Sequence, residues 1–127
     1  MIRKLLAAAA VSGAIALVAP SAAIAGTQSS SFTLPVGNRV CIDSPPAYSS
    51  ARGQGTANPG VRFTLYRAPY AGAAFSLVTE TPDNTQSWVA QVSSSTHPSL
   101  FPGVFRACAR NNGTLAASVN LSLRTDS

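Results

Sequence analysis

The chain has 127 residues, two cysteines, nine Lys or Arg and four Asp or Glu, which give a formal net charge of +5. This length predicts one domain. Two of the basic residues, Arg3 and Lys4, lie in an N-terminal segment that we expect to be removed, so seven arginines remain against four acids. A charge this small, spread along the chain, does not favour a nucleic-acid-binding protein.

The first 25 residues have the three parts of a secretory signal peptide. Arg3 and Lys4 precede the apolar run 5–18, and Ala23 and Ala25 form a small-residue cleavage site. The apolar run is shorter than the roughly 20 residues that a transmembrane helix needs. We therefore predict a helical signal peptide over residues 1–25 and a single exported domain over residues 26–127, with no membrane attachment after cleavage.

Cys41 and Cys108 are the two cysteines of the chain. In an oxidising compartment two cysteines pair, so we predict a disulfide between them. A metal site is not favoured, because neither a CxxC nor an HxxxH motif is present and His97 is the one histidine. We expect no cofactor and no metal.

Alternation of apolar and polar residues predicts about seven short strands after the signal peptide. The first, at residues 31–36, reads as an edge strand because Pro35 cannot donate a hydrogen bond to a neighbouring strand. Residues 44–60 show no periodicity and are rich in Pro, Gly and Ser, which predicts a long loop, and residues 93–102 read as a second loop. The remaining predicted strands cover residues 39–43, 61–67, 73–79, 87–92 and two runs within residues 103–124.

The two runs within residues 103–124 flank Asn112 and Gly113. This dipeptide readily takes up the positive φ angles of a tight two-residue turn, so the pattern predicts a β-hairpin. In the second run the apolar residues alternate and are expected to face the core: Leu115, Ala117, Val119, Leu121 and Leu123.

Short strands with frequent turn signals and no helical periodicity predict an all-β fold, an antiparallel β-sandwich that is either jelly-roll-like or Ig-like. The cysteines argue against an immunoglobulin inter-sheet bridge. Val40 and Ile42 flank Cys41, and Ala107 and Ala109 flank Cys108, so each cysteine points away from its apolar neighbours. We therefore predict that the disulfide joins two neighbouring strands on the outer face of one sheet.

Antiparallel pairing of those two strands places Asp43 opposite Arg106, which predicts a cross-strand ion pair.

Three segments in order resemble the pre-peptidase C-terminal domains of bacterial secreted hydrolases: SSSFTLPVGNRV, VRFTLYRAP and PGVFRACARNNGTLAASVNLSLR. The resemblance implies a jelly-roll-like β-sandwich and covers most of the chain after the signal peptide. The family commonly has an acidic residue just before its leucine-tyrosine strand, where this chain has Gly60, Val61 and Arg62. The resemblance therefore implies no calcium site here.

Catalytic chemistry has little support in the sequence. His97 lies near the serines 93–95, but no G-x-S-x-G motif exists and the tract is of low complexity. The acids are scattered and form neither a paired-carboxylate site nor a calcium loop. We expect no enzymatic activity and assign no catalytic residue.

A binding or structural role outside the cell is the function that the sequence favours, with a protein or a polysaccharide as partner. Arg62 and Tyr66 share the outward face of one predicted strand, and Tyr48, Arg52 and Tyr70 lie in adjoining predicted loops. Together they form a candidate aromatic and cationic binding surface. The alternative is a small secreted protease inhibitor that presents the predicted loop 44–60, with Arg52 as its specificity residue.

Overall fold

The computed structural model describes residues 26–126, and the predicted signal peptide lies outside them. The described residues form seven antiparallel strands and one short 3-10 turn, which confirms the all-β prediction. The elements are β1 (Gly26–Leu34), β2 (Arg39–Asp43), β3 (Ser50–Ala68), β4 (Ser76–Glu80), β5 (Thr85–Ser93), the 3-10 turn (Pro98–Leu100), β6 (Val104–Arg110) and β7 (Ala117–Asp126).

Strand β3 organises the fold because it belongs to two sheets. Its N-terminal half pairs with β7 and β5, and its C-terminal half pairs with β6 and β4. The first sheet therefore has the order β1-β7-β3-β5, and the second sheet has the order β2-β6-β3-β4. The two sheets pack their apolar faces together around one core. As predicted, β1 is an edge strand.

The prediction of a loop over residues 44–60 is wrong from Ser50 onwards, since this segment begins β3. Its inward residues are Ala51, Gly53, Gly55 and Ala57, which are too small to show an apolar alternation in the sequence. A Cβ atom on Gly53 would lie 2.5 Å from Cη2 of Trp88, and one on Gly55 would overlap the ring of Phe63. The two rings stack with centroids 5.3 Å apart. The glycines therefore make room for the two aromatic rings of the core.

Between its two halves, β3 changes partners at Asn58, Pro59 and Gly60. The register between β3 and β5 shifts between Thr56 and Val61. In the same region the pairing of β3 with β7 ends and its pairing with β6 begins. Proline cannot donate to a ladder, which suits this interruption.

Strand alternation predicted much of the core correctly. Phe63 and Leu65 on β3, Trp88 and Val92 on β5, and four apolar residues of β7 are buried. Leu115 is the exception on the last run, because β7 begins only at Ala117 and Leu115 is 67% exposed.

The hairpin predicted around Asn112 and Gly113 is wrong. Strand β6 pairs with β2 and β3, whereas β7 pairs with β1 and β3, so residues 111–116 cross from one sheet to the other. Neither Asn112 nor Gly113 has a positive φ. The buried side chain of Asn111 shapes the connection instead. Its Nδ2 donates to the carbonyl oxygens of Leu34 (2.9 Å) and Leu115 (2.8 Å), and its Oδ1 accepts from the N–H of Gly113 (2.9 Å).

The predicted disulfide is confirmed, and so is its place within one sheet. Cys41 and Cys108 are directly paired residues of β2 and β6, with their Cα atoms 4.1 Å apart. The predicted ion pair is also present: Arg106 donates from Nε and Nη2 to the two carboxylate oxygens of Asp43, at 2.6 and 3.0 Å. Because both side chains are partly exposed, the pair contributes little to stability.

The close fit of Gly53 against Trp88 leads to a first prediction. We expect Gly53→Ala to lower the free energy of unfolding by about 1–3 kcal/mol, because the added methyl group forces the indole ring out of its packing position. Gly113→Ala is the control, and we expect it to cost less, since its new Cβ meets a single atom, Oδ1 of Asn111, at 3.2 Å, whereas a Cβ on Gly53 meets the indole at 2.5 Å. Urea unfolding of the two variants measures the difference. Equal stabilities would show that β3 does not need a glycine against the indole.

Candidate binding surface

The outer face of the first sheet consists almost entirely of small uncharged polar side chains. Alternate residues point outward from all four strands, within residues 27–33 of β1, 118–124 of β7, 52–58 of β3 and 87–91 of β5. Twelve of these fifteen residues are Ser, Thr, Asn or Gln, and the others are Arg52, Arg124 and Val89. We call this surface the hydroxyl face.

A shallow groove runs across the hydroxyl face over β1, β7 and β3. It is lined chiefly by Ser29, Ser31, Ser122, Asn120, Gln54 and Thr56. The antiparallel register sets these residues in two adjacent rows, one through Ser29, Ser122 and Gln54 and the other through Ser31, Asn120 and Thr56.

Asn120 occupies the middle of its row and is held by both neighbours. Its Oδ1 accepts a hydrogen bond from the hydroxyl of Ser31, and its Nδ2 donates to Oγ1 of Thr56 at 3.3 Å. The amide is therefore oriented before any ligand arrives. Hydroxyl and amide groups both donate and accept hydrogen bonds, so such a row suits a ligand that is itself rich in hydroxyl groups.

The outer face of the second sheet has a different chemistry, in which charges are paired with one another. Arg62 contacts Asp83 (2.9 Å) and Glu80 (3.3 Å), and the hydrogen bond from Arg62 to Asp83 raises the pKa of Arg62. The pKa of Asp83 is lowered, first by a hydrogen bond from Asn112 and then by one from Arg62. These contacts fix the side chains to each other, so they favour a structural role for this charged surface.

On the same face, Arg106 lies over the ring of Phe75, 4.2 Å from the ring centroid. Its hydrogen bond to Asp43 raises the pKa of Arg106. The guanidinium group of Arg106 thus binds both a carboxylate and the face of an aromatic ring within the same protein.

The structure divides the five residues of the predicted binding surface. Arg62 and Tyr66 point outward from the second sheet, where the register places Tyr66 beside Arg106. Arg52 points outward from the first sheet, beside Arg124 and Gln91. Tyr48 and Tyr70 are well exposed, the first just before β3 and the second just after it. Of the five, Arg52 alone belongs to the hydroxyl face.

The hydroxyl face was missed because its members alternate with apolar residues. In the sequence, polar residues at every second position look like the ordinary solvated side of a strand. A usable signal was nevertheless present, since the outward positions of the predicted strands at residues 31–36 and 87–92 hold no charged residue, whereas those at residues 39–43 and 61–67 do.

The structure gives His97 a local role. Its Nδ1 lies 2.9 Å from Oγ1 of Thr96, and no carboxylate contacts the ring within the described part of the chain. Across residues 26–126, no group of three or more His, Cys, Asp or Glu side chains is arranged to hold a metal ion. The same residues include no helix long and apolar enough to cross a membrane.

Comparison with known proteins finds a protein of similar fold but does not place the chain in a family. No family model matches the sequence, and no curated protein matches it significantly. Among solved structures, the chain is similar to the Yersinia pseudotuberculosis-derived mitogen, with a TM-score of 0.56 and 12% sequence identity. The match covers 81% of this chain and 88% of the mitogen. At this identity the likeness supports the fold alone, and the resemblance to pre-peptidase C-terminal domains stays a prediction.

Proposed function

We propose that this protein is a secreted, non-catalytic binding module whose hydroxyl face binds a polysaccharide. One observation carries the proposal: four neighbouring strands present a continuous surface of hydroxyl and amide side chains, with an oriented asparagine in a groove at its centre.

The composition of the hydroxyl face favours a sugar over a protein partner. Specific protein interfaces are centred on buried aromatic or aliphatic anchors, whereas the one exposed apolar residue on this face is Val89, on the edge strand β5. Ser and Thr also lose less rotamer entropy on binding than Lys, Arg or Glu. The similarity to a mitogen is a similarity of fold, so it does not choose between these partners.

Secretion is supported by two features. The disulfide is compatible with an extracellular location, since such bonds persist in oxidising compartments. Residues 1–25, which lie outside the described part of the chain, have the composition of a signal peptide.

The position of Arg52 does not favour the protease-inhibitor alternative. It required an exposed loop around Arg52, but Arg52 lies within β3 with β7 paired on one side and β5 on the other. Its backbone is therefore held in a sheet instead of an exposed loop, which supports a binding role over protease inhibition.

The proposal is tested by affinity electrophoresis of the full-length gene product in gels that contain single polysaccharides. We expect Gln54→Ala combined with Asn120→Ala to weaken retention about tenfold or more, because each substitution removes hydrogen-bonding groups from the groove. The control is Asn38→Ala, an exposed asparagine in the turn between β1 and β2. Thermal unfolding of both variants checks that the fold is intact. Retention on no polysaccharide, or equal retention of both variants, would contradict the proposal.

A further inference from the structure

Two arginines lie side by side at one end of the hydroxyl face. Arg52 on β3 and Arg124 on β7 are directly paired in the antiparallel register, and both are exposed. Residues directly opposite each other have Cβ atoms about 5 Å apart, and like charges in this position are destabilising. The arrangement therefore carries a cost in the free protein.

No acid offsets this repulsion by direct contact. Within residues 26–126, neither guanidinium group forms a hydrogen bond or an ion pair. The nearest acid along β7 is Asp126, and its carboxylate accepts a hydrogen bond from the hydroxyl of Ser50 at 2.9 Å. Arg62 and Arg106 on the second sheet, by contrast, are each paired with an acid. The two arginines on the hydroxyl face are therefore available to bind an external anion.

The arginine pair is also placed beside the groove. Arg124 is two residues from Ser122 and Arg52 is two residues from Gln54, and both of those residues line the groove. Two residues along a strand span about 7 Å, so the two guanidinium groups lie close to the end of the groove. A polysaccharide seated over the groove thus brings a neighbouring unit over the two guanidinium groups.

We propose that the ligand of the hydroxyl face is an acidic polysaccharide and that Arg52 and Arg124 together bind one of its carboxylate or sulfate groups. Guanidinium groups bind the oxygen atoms of oxyanions through paired, charge-assisted hydrogen bonds. The bound anion also removes the repulsion between the two arginines. This inference rests on the proposed function, because it assumes that a polysaccharide occupies the groove.

The test uses the full-length gene product and three polymers: polygalacturonate for carboxylates, dextran sulfate for sulfates and unmodified dextran as the neutral reference. We expect one or both anionic polymers to bind more tightly than dextran. Replacing both arginines, Arg52→Gln with Arg124→Gln, weakens that binding about ten- to a hundredfold and leaves thermal stability unchanged or higher.

A matched control removes the same charge elsewhere. Arg39 and Arg110 are also directly paired and outward-facing, but on the second sheet. If Arg39→Gln with Arg110→Gln weakens binding as much as the hydroxyl-face variant, the attraction is a general effect of net charge and the inference is overturned.

The remaining outcomes separate this inference from the proposed function. One outcome is that the protein binds dextran and the anionic polymers equally, that replacing Arg52 and Arg124 has no effect, and that replacing Gln54 and Asn120 abolishes binding. This outcome would overturn the acidic ligand but support the polysaccharide site. Binding to none of the three polymers overturns the inference. In that case, retention on another neutral polysaccharide would support the proposed function, and retention on no polysaccharide would contradict it.

Discussion

Loss of the disulfide is expected to lower the free energy of unfolding by about 4 kcal/mol, the largest effect that we expect from any substitution in this protein. The bond closes a loop of 67 residues, so its removal frees a large part of the unfolded chain. Because Cys41 and Cys108 are already paired by the register of β2 and β6, we expect the folded strands to stay together without it.

The measurement is urea unfolding of Cys41→Ala with Cys108→Ala beside the unchanged protein. The m value should rise in the variant, since an unbridged unfolded chain exposes more surface. The unchanged protein in excess dithiothreitol should unfold like the variant, and Asp43→Asn, which removes only the neighbouring ion pair, should lose about 1 kcal/mol or less. A loss below about 1 kcal/mol for the cysteine variant would contradict the loop-closure argument.

Removal of the buried amide at Asn111 is expected to cost about 3 kcal/mol or more. The side chain serves three backbone groups at once: the carbonyl oxygens of Leu34 and Leu115, and the N–H of Gly113. Asn111→Ala leaves the carbonyl oxygen of the buried Leu34 without this partner, which costs about 1–3 kcal/mol. It also removes two partly buried hydrogen bonds, to Leu115 and from Gly113, worth about 0.5–1.5 kcal/mol each. Asn111→Asp preserves the shape but loses the Nδ2 donor, so we expect a similar cost at neutral pH.

Asn112→Ala is the control for Asn111. Its side chain is exposed and contacts only the side chains of Arg110 and Asp83, so we expect a loss of about 1 kcal/mol or less. Denaturant unfolding of the three variants gives the comparison. A cost at Asn112 equal to that at Asn111 would indicate a turn centred on Asn112 and Gly113, as in the hairpin that the sequence predicted.

The errors in predicting the fold have a shared physical origin. Alternation reveals a strand only when the inward residues are large enough to be recognised as apolar. The inward side of β3 holds Gly53 and Gly55, because the bulk at that place in the core comes from Phe63 and Trp88. Phe63, further along the same strand, and Trp88, from β5, thus fill the space that the two glycines leave empty.

The candidate site was only partly predictable for a related reason. Arg52 was identified as a binding residue, but together with tyrosines that the structure places elsewhere. The partners that surround it come from β5 and β7, including Arg124, which lies 72 positions further along the chain. The pattern within one strand carries no information about which strand will lie beside it.

The sequence by itself determined the class of fold, which side of most strands faces the core, and a disulfide within one sheet beside the ion pair of Asp43 and Arg106. These properties follow from a period of two residues, which each strand displays on its own. Only the tertiary structure decided that β3 runs through both sheets, that β6 and β7 separate, and that four polar strand faces join into one surface. Those outcomes depend on strand pairing over long distances, which is settled by burying all the apolar faces at once.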